Sequence, residues 1–433
     1  MTESLRCRRN GNSDLNLFFR NFTSLAILQG ANYLLPLISV PYLVRTLGAD
    51  RFGVVVMGQA FAQYFVIFAD YGFNYSATRR ASIARDVPTD LAKLFWNVNL
   101  VKVSLMVLGF VLMSGVVRAF PRLRPDWPVY YLSYLTVLGS VLLPTWLFQG
   151  LERMSAVAIF SIGARALTLT CIFVFIKNPA DYVLAAGLQA AAMPIAGILA
   201  LCVMLKRNPA VLRFHGINLQ DLRMTLFEGW HLFVSTAAIS LYSSSATFVL
   251  GLVASPISVT EYSIADKLVK AMLGLTQPIT QALYPRMSYL FSKDVAKALI
   301  RLKSVTVLLT LAGVISGLIL FEAADPIVIA LFGKSAEPAS RLVRVLSFVP
   351  LLVIWSNLLG VQLLFSLGQQ APVSRFQIVV SICSILVLIP MASKFGEMGS
   401  ALNYLGSEFI ITIGFLLIAV RVLKEMRRVN ACG

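Results

Sequence analysis

The chain has 433 residues, 58% of them hydrophobic and only 13% charged, with a mean hydropathy of +0.78 and a formal net charge of +17. A water-soluble domain carries about a quarter charged residues, so the composition excludes an ordinary soluble enzyme and makes the bilayer the solvent. The basic residues form short clusters between apolar runs rather than one basic domain, which argues against nucleic acid as a partner.

In chain order, residues 1–20 are polar and basic and are expected to form a cytoplasmic tail. The apolar run that follows is too long for a signal-peptide core, which predicts a retained first span. Windows of about 20 mainly apolar residues predict twelve spans, near 22–44, 52–73, 94–117, 128–149, 155–176, 182–205, 226–254, 262–285, 304–322, 342–367, 373–391 and 398–420. The longest connections, around 74–93, 206–225 and 323–341, hold roughly twenty residues each, too few for a separate soluble domain.

Lys and Arg set the orientation of such a chain. With the N-terminus inside, the inner segments hold roughly twice the Lys and Arg of the outer ones, through clusters such as Arg79, Arg80, Arg85, Lys93 and Lys206, Arg207, Arg213, Arg223. Both termini are therefore expected in the cytoplasm. The expected fold is all-α and polytopic: twelve transmembrane helices in two six-helix halves, related by a parallel pseudo-two-fold axis around a central cavity. The first half would span 21–205, a cytoplasmic linker 206–225, the second half 226–420 and a C-terminal tail 421–433.

Five basic residues fall within or at the ends of spans: Lys102, Arg165, Lys267, Lys270 and Arg286. A charge there costs about 2.5 to 3.5 kcal/mol on insertion scales and usually faces protein or a water-filled cavity. In the second span Gln59, Gln63, Asp70 and Asn74 lie within about 60° of one another on a helix, provided that the helix survives Gly72. Asp266, Lys270, Gln277 and Gln281 repeat that spacing in the eighth span, 207 residues later, and Arg79 is answered by Arg286. Hydrogen bonding to neighbouring helices is the plainer role for these glutamines. It is less adequate for the charged residues. Asp266 and Lys270 are expected to pair at i, i+4, leaving Lys267 in excess, while Glu408 is weighed as a counterion for Lys102 or Arg165.

Pro36, Pro41, Pro278 and Pro285 suit kinked spans. Cys171, Cys202 and Cys383 sit in apolar runs and read as small apolar residues, with no pattern for disulfides in Cys7 or Cys432. Gly333-Lys334-Ser335 lacks the first glycine of a P-loop, Val328 standing there. His215 and His231 are the only histidines, outside any zinc motif. No cofactor, metal or catalytic residue is expected.

The run Gln29–Gly53, QGANYLLPLISVPYLVRTLGADRFG, then Gln63-Tyr64-Phe65 and DYGFNYSATR from Asp70 to Arg79, closely resembles bacterial Wzx-type O-antigen and exopolysaccharide flippases. These belong to the multidrug/oligosaccharidyl-lipid/polysaccharide exporter superfamily. Tyr262–Ser288, YSIADKLVKAMLGLTQPITQALYPRMS, resembles that family's eighth span.

The resemblance implies, as substrate, an undecaprenyl-diphosphate-linked oligosaccharide repeat unit turned from the cytoplasmic to the periplasmic leaflet of the inner membrane. It also implies contact with membrane lipids and with the polymerase and chain-length regulator of the same pathway. Sugar hydroxyls and a diphosphate cannot cross hydrocarbon unsatisfied, and a basic cavity would attract the anionic head. Lys267, Lys270 and Arg286 are the first candidates for that contact, with Arg79, Lys102 and Arg165 beside them; Asp70 and Asp266 are candidates for gating or proton coupling. Export of two negative charges gains about 4 to 5 kcal/mol per 100 mV, so the membrane potential is one candidate drive, beside proton coupling through Asp70 or Asp266. Other transport readings are a multidrug or lipid II exporter of the same superfamily. A polysaccharide polymerase or glycosyltransferase is a different class, which typically needs a sizeable outer loop.

Overall fold

The computed structural model describes residues 2–207, 209–212 and 219–432, with side chains described from Gly30 to Met426 except at 32–33 and in parts of 205–243 and 278–285. The long elements are all helical, as a bilayer demands of an open chain, because no water is present there to satisfy a free N–H or C=O. The first unit uses α1 (Thr2–Asp70), α2 (Phe73–Ile83), α3 (Pro88–Ala119), α4 (Trp127–Ser133), α5 (Leu135–Leu142), α6 (Thr145–Gly150), α7 (Met154–Phe175) and α8 (Tyr182–Arg207). After α9 (Leu219–Val253) come α10 (Pro256–Lys293), α11 (Val295–Glu322), α12 (Ala324–Phe332), α13 (Ala339–Leu346), α14 (Val349–Asn357), a π-helical stretch Leu358–Phe365 and α15 (Gln370–Cys432).

Two elements far exceed a bilayer. At about 1.5 Å per residue α1 would reach ~100 Å, against a hydrocarbon core of about 30 Å. It is broken at Gly48 (φ 77°, ψ 161°), between the first two expected spans, and it stops before Tyr71 and Gly72, whose φ values are 44° and 74°. Gly396 (φ 58°, ψ −134°) breaks α15 in the same way. Across that break Asn403 Nδ2 and Ser407 Oγ both donate to Ser384 Oγ, at 3.0 and 2.8 Å, clipping the two segments together.

Eight stretches among the described residues are long and apolar enough to cross a bilayer: 34–83, 88–119, 127–150, 154–175, 179–204, 295–322, 339–365 and 370–426. The first and last contain the breaks at Gly48 and Gly396. α10, which carries Asp266, Lys267 and Lys270, is not among them. The chain is thus an all-helical, multi-pass membrane protein. Its exposed surface agrees: Leu308, Leu311, Ile315 and Leu318 line one face of α11 and are all more than half exposed, as a lipid-facing helix requires.

Packing divides the chain into two units, residues 1–35 with 58–237 and residues 36–57 with 238–433. These units cut across chain order, since α1 and α9 each contribute to both. The first has its core around Phe73, Val98, Trp146, Leu147 and Ala200. There α5 meets α8 at Gly139, where a Cβ would stand 2.3 Å from Met193 Cβ and 2.5 Å from Pro194 N; a small residue is what lets the two backbones approach. The second unit has its core around Met287, Phe291, Leu309, Leu363 and Phe415.

Candidate functional site

In the first unit the polar residues of α1 do not form one continuous stripe. The left-handed pair Tyr71–Gly72 ends α1 immediately after Asp70, so Asn74 belongs to α2 and lies off the helix that carries Gln59, Gln63 and Asp70. The expectation of one helix through Gly72 is therefore corrected. Glycine adopts φ near +74° at little cost, and Tyr71 shares the turn by stacking on Phe233 with ring centroids 4.8 Å apart.

Asp70 is held by the next helix. Lys102 Nζ of α3 lies 2.7 Å from Asp70 Oδ1 and also donates to the Ser140 carbonyl of α5 at 2.7 Å. The lysine side chain is 2% exposed and the aspartate 26%. Lys102 thus has Asp70 as its counterion rather than Glu408. Asn74 Oδ1 accepts from Thr145 Oγ1 at 2.9 Å, and Gln59 Nε2 donates to Gln189 Oε1 at 2.7 Å. These are links between helices, the plainer of the two roles considered for such residues. Gln63 is exposed.

Arg165 stands apart. It lies half-buried in the middle of α7, and its guanidinium has no hydrogen-bond or carboxylate partner among the described residues. With Asp70 and Lys102 paired, Arg165 is a mid-helix charge without a counterion among the described residues. Arg79 on α2 is exposed.

In the second unit α10 continues unbroken through Asp266, Lys270 and Gln277. Lys270 Nζ meets Asp266 Oδ2 at 2.8 Å, the i, i+4 pair expected. Lys267, next to Asp266 in the chain, makes no ion pair among the described residues: its Nζ donates to Ser263 Oγ at 2.8 Å and lies 5.7 Å from the centroid of the Phe52 ring. A cation over an aromatic face is attracted by the ring quadrupole, by about 0.5 to 2 kcal/mol. Asp266 and Lys270 are its charged neighbours. Gln277 is half-buried, the side chain of Gln281 lies outside the described residues, and Arg286 is exposed.

Several participants lie outside the predicted site residues, with Glu408 weighed only as a counterion for Lys102 or Arg165. Tyr262, Tyr404 and buried Glu408 lie within electrostatic reach of Asp266 or of one another, beside the charged turn of α10. Gln362 is fully buried in the π-helical stretch, and its Nε2 donates to the Thr280 carbonyl of α10 at 2.8 Å. A π-helical stretch often marks a functional position. The one local signal was a lone glutamine within LLGVQLLF. Ser263 was visible in principle, four residues before Lys267.

The two units thus present different chemistry. The first buries a compensated pair and leaves a single arginine; the second offers a lysine, a Lys–Asp pair and a carboxylate along α10 and α15. Each leaves one cation, Arg165 or Lys267, outside any ion pair among the described residues, and such a group is a charge-assisted donor. Among the described residues no group of three His, Cys, Asp or Glu side chains is placed to hold a metal ion.

Residues 18–291 match the family described as "Polysaccharide biosynthesis protein". A protein of Escherichia coli (strain K12) named "Putative O-antigen transporter" is 33% identical over 402 residues, covering 93% of this chain and 96% of its own. One of the same name from Shigella dysenteriae is 31% identical over 410 residues, covering 93% and 100%. Among solved structures, an inward-facing multidrug resistance MATE family transporter matches with a TM-score of 0.70 at 13% identity, over 93% of this chain and 99% of that one. The lipid II flippase MurJ in an inward closed conformation matches with 0.66 at 12% identity, over 93% and 87%. At such identities these two bear on the fold alone, an all-helical, polytopic one. The chain belongs to the polysaccharide biosynthesis protein family, in keeping with the Wzx-type resemblance of Gln29–Gly53 and Asp70–Arg79.

Proposed function

We propose that this protein is a flippase of the bacterial inner membrane that moves undecaprenyl-diphosphate-linked oligosaccharide repeat units from the cytoplasmic to the periplasmic leaflet, for O-antigen or exopolysaccharide assembly. The observation that carries the proposal is the 33% identity, along 93% of the chain, to a protein bearing the O-antigen transporter name. The mechanism is alternating access by twelve spans in two six-helix halves, with both termini in the cytoplasm. The basic clusters on alternate connections support that orientation.

In this mechanism Lys267 contacts the diphosphate, since its Nζ is held by Ser263 and forms no ion pair among the described residues; Arg165 is a further candidate contact in the other unit. Lys270 and Arg286 assist, and Arg79 serves at the cytoplasmic mouth. Lys102 takes part through Asp70. A change in that ion pair, or in Asp266–Lys270, gates the cycle or carries a proton. A transporter rather than a polymerase or glycosyltransferase is favoured by the short outer connections.

Genetic loss separates the classes. Loss of a flippase strands complete repeat units facing the cytoplasm, whereas loss of a polymerase leaves single units exposed outside. Accumulation outside in a deletion strain would overturn the proposal. Complementation by flippases of known glycan specificity then identifies the repeat unit.

A further inference from the structure

The corner between α3 and α4 holds a cavity of about 660 Å³ lined by Val117, Arg118, Arg124, Trp127 and Tyr131. Two guanidinium groups converge on it. Arg118 is in the last turn of α3, and Arg124 follows in the connection, tethered by its Nε to the Arg118 carbonyl at 2.8 Å. That tether leaves the terminal amino groups of Arg124 available. Neither arginine forms an ion pair with a carboxylate among the described residues. The aromatic wall is ordered: Tyr131 packs edge-on to Trp127 at 5.6 Å and to Phe110 at 5.5 Å.

Below this corner α3 presents lipid-facing side chains. Val103, Val107, Phe110 and Val111 are exposed and, at 3.6 residues per turn, share a face with Arg118. From Val107 to Arg118 the helix rises about 16 Å, close to half of a ~30 Å hydrocarbon core. A lipid whose chains lie along this face would therefore carry its phosphate to the level of Arg118 and Arg124. Arginine suits that group, since its planar fork matches two phosphate oxygens, and Trp and Tyr favour the same interfacial depth.

From this geometry we infer that the α3–α4 corner is a binding site for the phosphate headgroup of an anionic membrane lipid. The site lies at the end of α3 remote from Pro88, in the leaflet at that end. Arg118 and Arg124 clamp the phosphate, Trp127 and Tyr131 cover the glycerol region, and the Val103–Val111 face receives the acyl chains. Simple snorkelling of arginines to the interface would need neither the tether nor a shared cavity. The inference is independent of which cargo the protein moves.

The test is native mass spectrometry of the full-length protein released from nanodiscs of phosphatidylcholine doped with phosphatidylglycerol. Wild type is expected to retain one phosphatidylglycerol that Arg118→Gln/Arg124→Gln loses, with apparent affinity at least tenfold weaker. Lys297→Gln, at another exposed cation, should retain it. Arg118→Lys/Arg124→Lys keeps the charge, and binding between the two extremes is expected; it also serves if the glutamine variant fails to fold. Undecaprenyl diphosphate and inorganic phosphate, added as competitors, distinguish the sources. Displacement by the diphosphate lipid would reassign the site from phospholipid to cargo, and displacement by millimolar phosphate would remove the role of the lipid chains. Equal retention by wild type and the glutamine variant, or no preference over phosphatidylcholine, would overturn the inference altogether.

Discussion

Lys102 reaches Asp70 across 32 residues of sequence, its Nζ 2.7 Å from the carboxylate and 2.7 Å from the Ser140 carbonyl. One ammonium group thereby ties the end of α1 to α3 and α5, immediately before the Tyr71–Gly72 turn. Removing either partner of a buried ion pair leaves a charge that water cannot reach, which is costlier than removing both.

Lys102→Met should accordingly destabilise the protein by about 3 kcal/mol, the low end for a buried pair because Asp70 retains some exposure. Lys102→Met/Asp70→Asn should recover at least half of that loss. Chemical denaturation in detergent micelles, read as a double-mutant cycle, measures the coupling. Additive single effects would show that the two side chains do not depend on each other.

Lys267 and Lys270 are adjacent turns of one helix with different company, and their substitutions should separate. Lys267→Ala is expected to lower translocation of lipid-linked glycan in vesicles at least tenfold with little loss of stability, and Lys267→Arg should restore part of it. Lys270→Ala removes one half of an i, i+4 pair whose lysine is 41% exposed, a change of roughly 0.5 kcal/mol at most. Normal translocation by Lys267→Ala would remove that residue from the diphosphate site.

Arg165 carries the unbalanced charge of α7. Because an unpaired charge in a span is costly, Arg165→Gln should leave thermal stability equal to or above that of the parent while translocation falls. A matching fall in stability and activity would mean that the arginine braces the helix.

Asp294 caps α11 outside the spans: its Oδ1 accepts from the Lys297 N–H at 3.0 Å and its Oδ2 meets Lys297 Nζ at 3.1 Å. These bonds to Lys297, the charged group beside it, hold the carboxyl below its ordinary value of 3.8. A folded pKa below the unfolded one stabilises the native state above the unfolded pKa, and the contribution disappears as pH falls through the folded value. Protection of the amides at the start of α11, taken relative to their intrinsic exchange at each pH, should therefore fall below about pH 4. Asp294→Asn should keep the cap and lose this acid sensitivity, whereas Asp294→Ala should expose the turn at every pH. An unchanged pH profile in Asp294→Asn would refute the assignment.

Local rules reached part of the site. Asp266 and Lys270 were legible because four residues of helix bring them together whatever surrounds them. The helical breaks were harder: Gly48 fell between expected spans, and Gly72 marked a possible break after Asp70 without deciding whether Asn74 would leave the stripe. Gln59 was legible as helix glue, but not its partner Gln189, 130 residues away.

By itself the sequence determined that this chain lies in a bilayer as a set of helices, because burying so many apolar residues in water-soluble form was impossible at 13% charge. It also identified the family, through the Gln29–Gly53 and Asp70–Arg79 segments, and the i, i+4 pair on α10. Tertiary structure alone decided which charges are compensated: Lys102 by Asp70, Lys267 by a serine hydroxyl and an aromatic face, Arg165 by nothing among the described residues. The reason is physical. Transfer of apolar surface depends on composition and run length, which are local, whereas the fate of a charge in a low-dielectric interior depends on which distant side chain packing sets beside it.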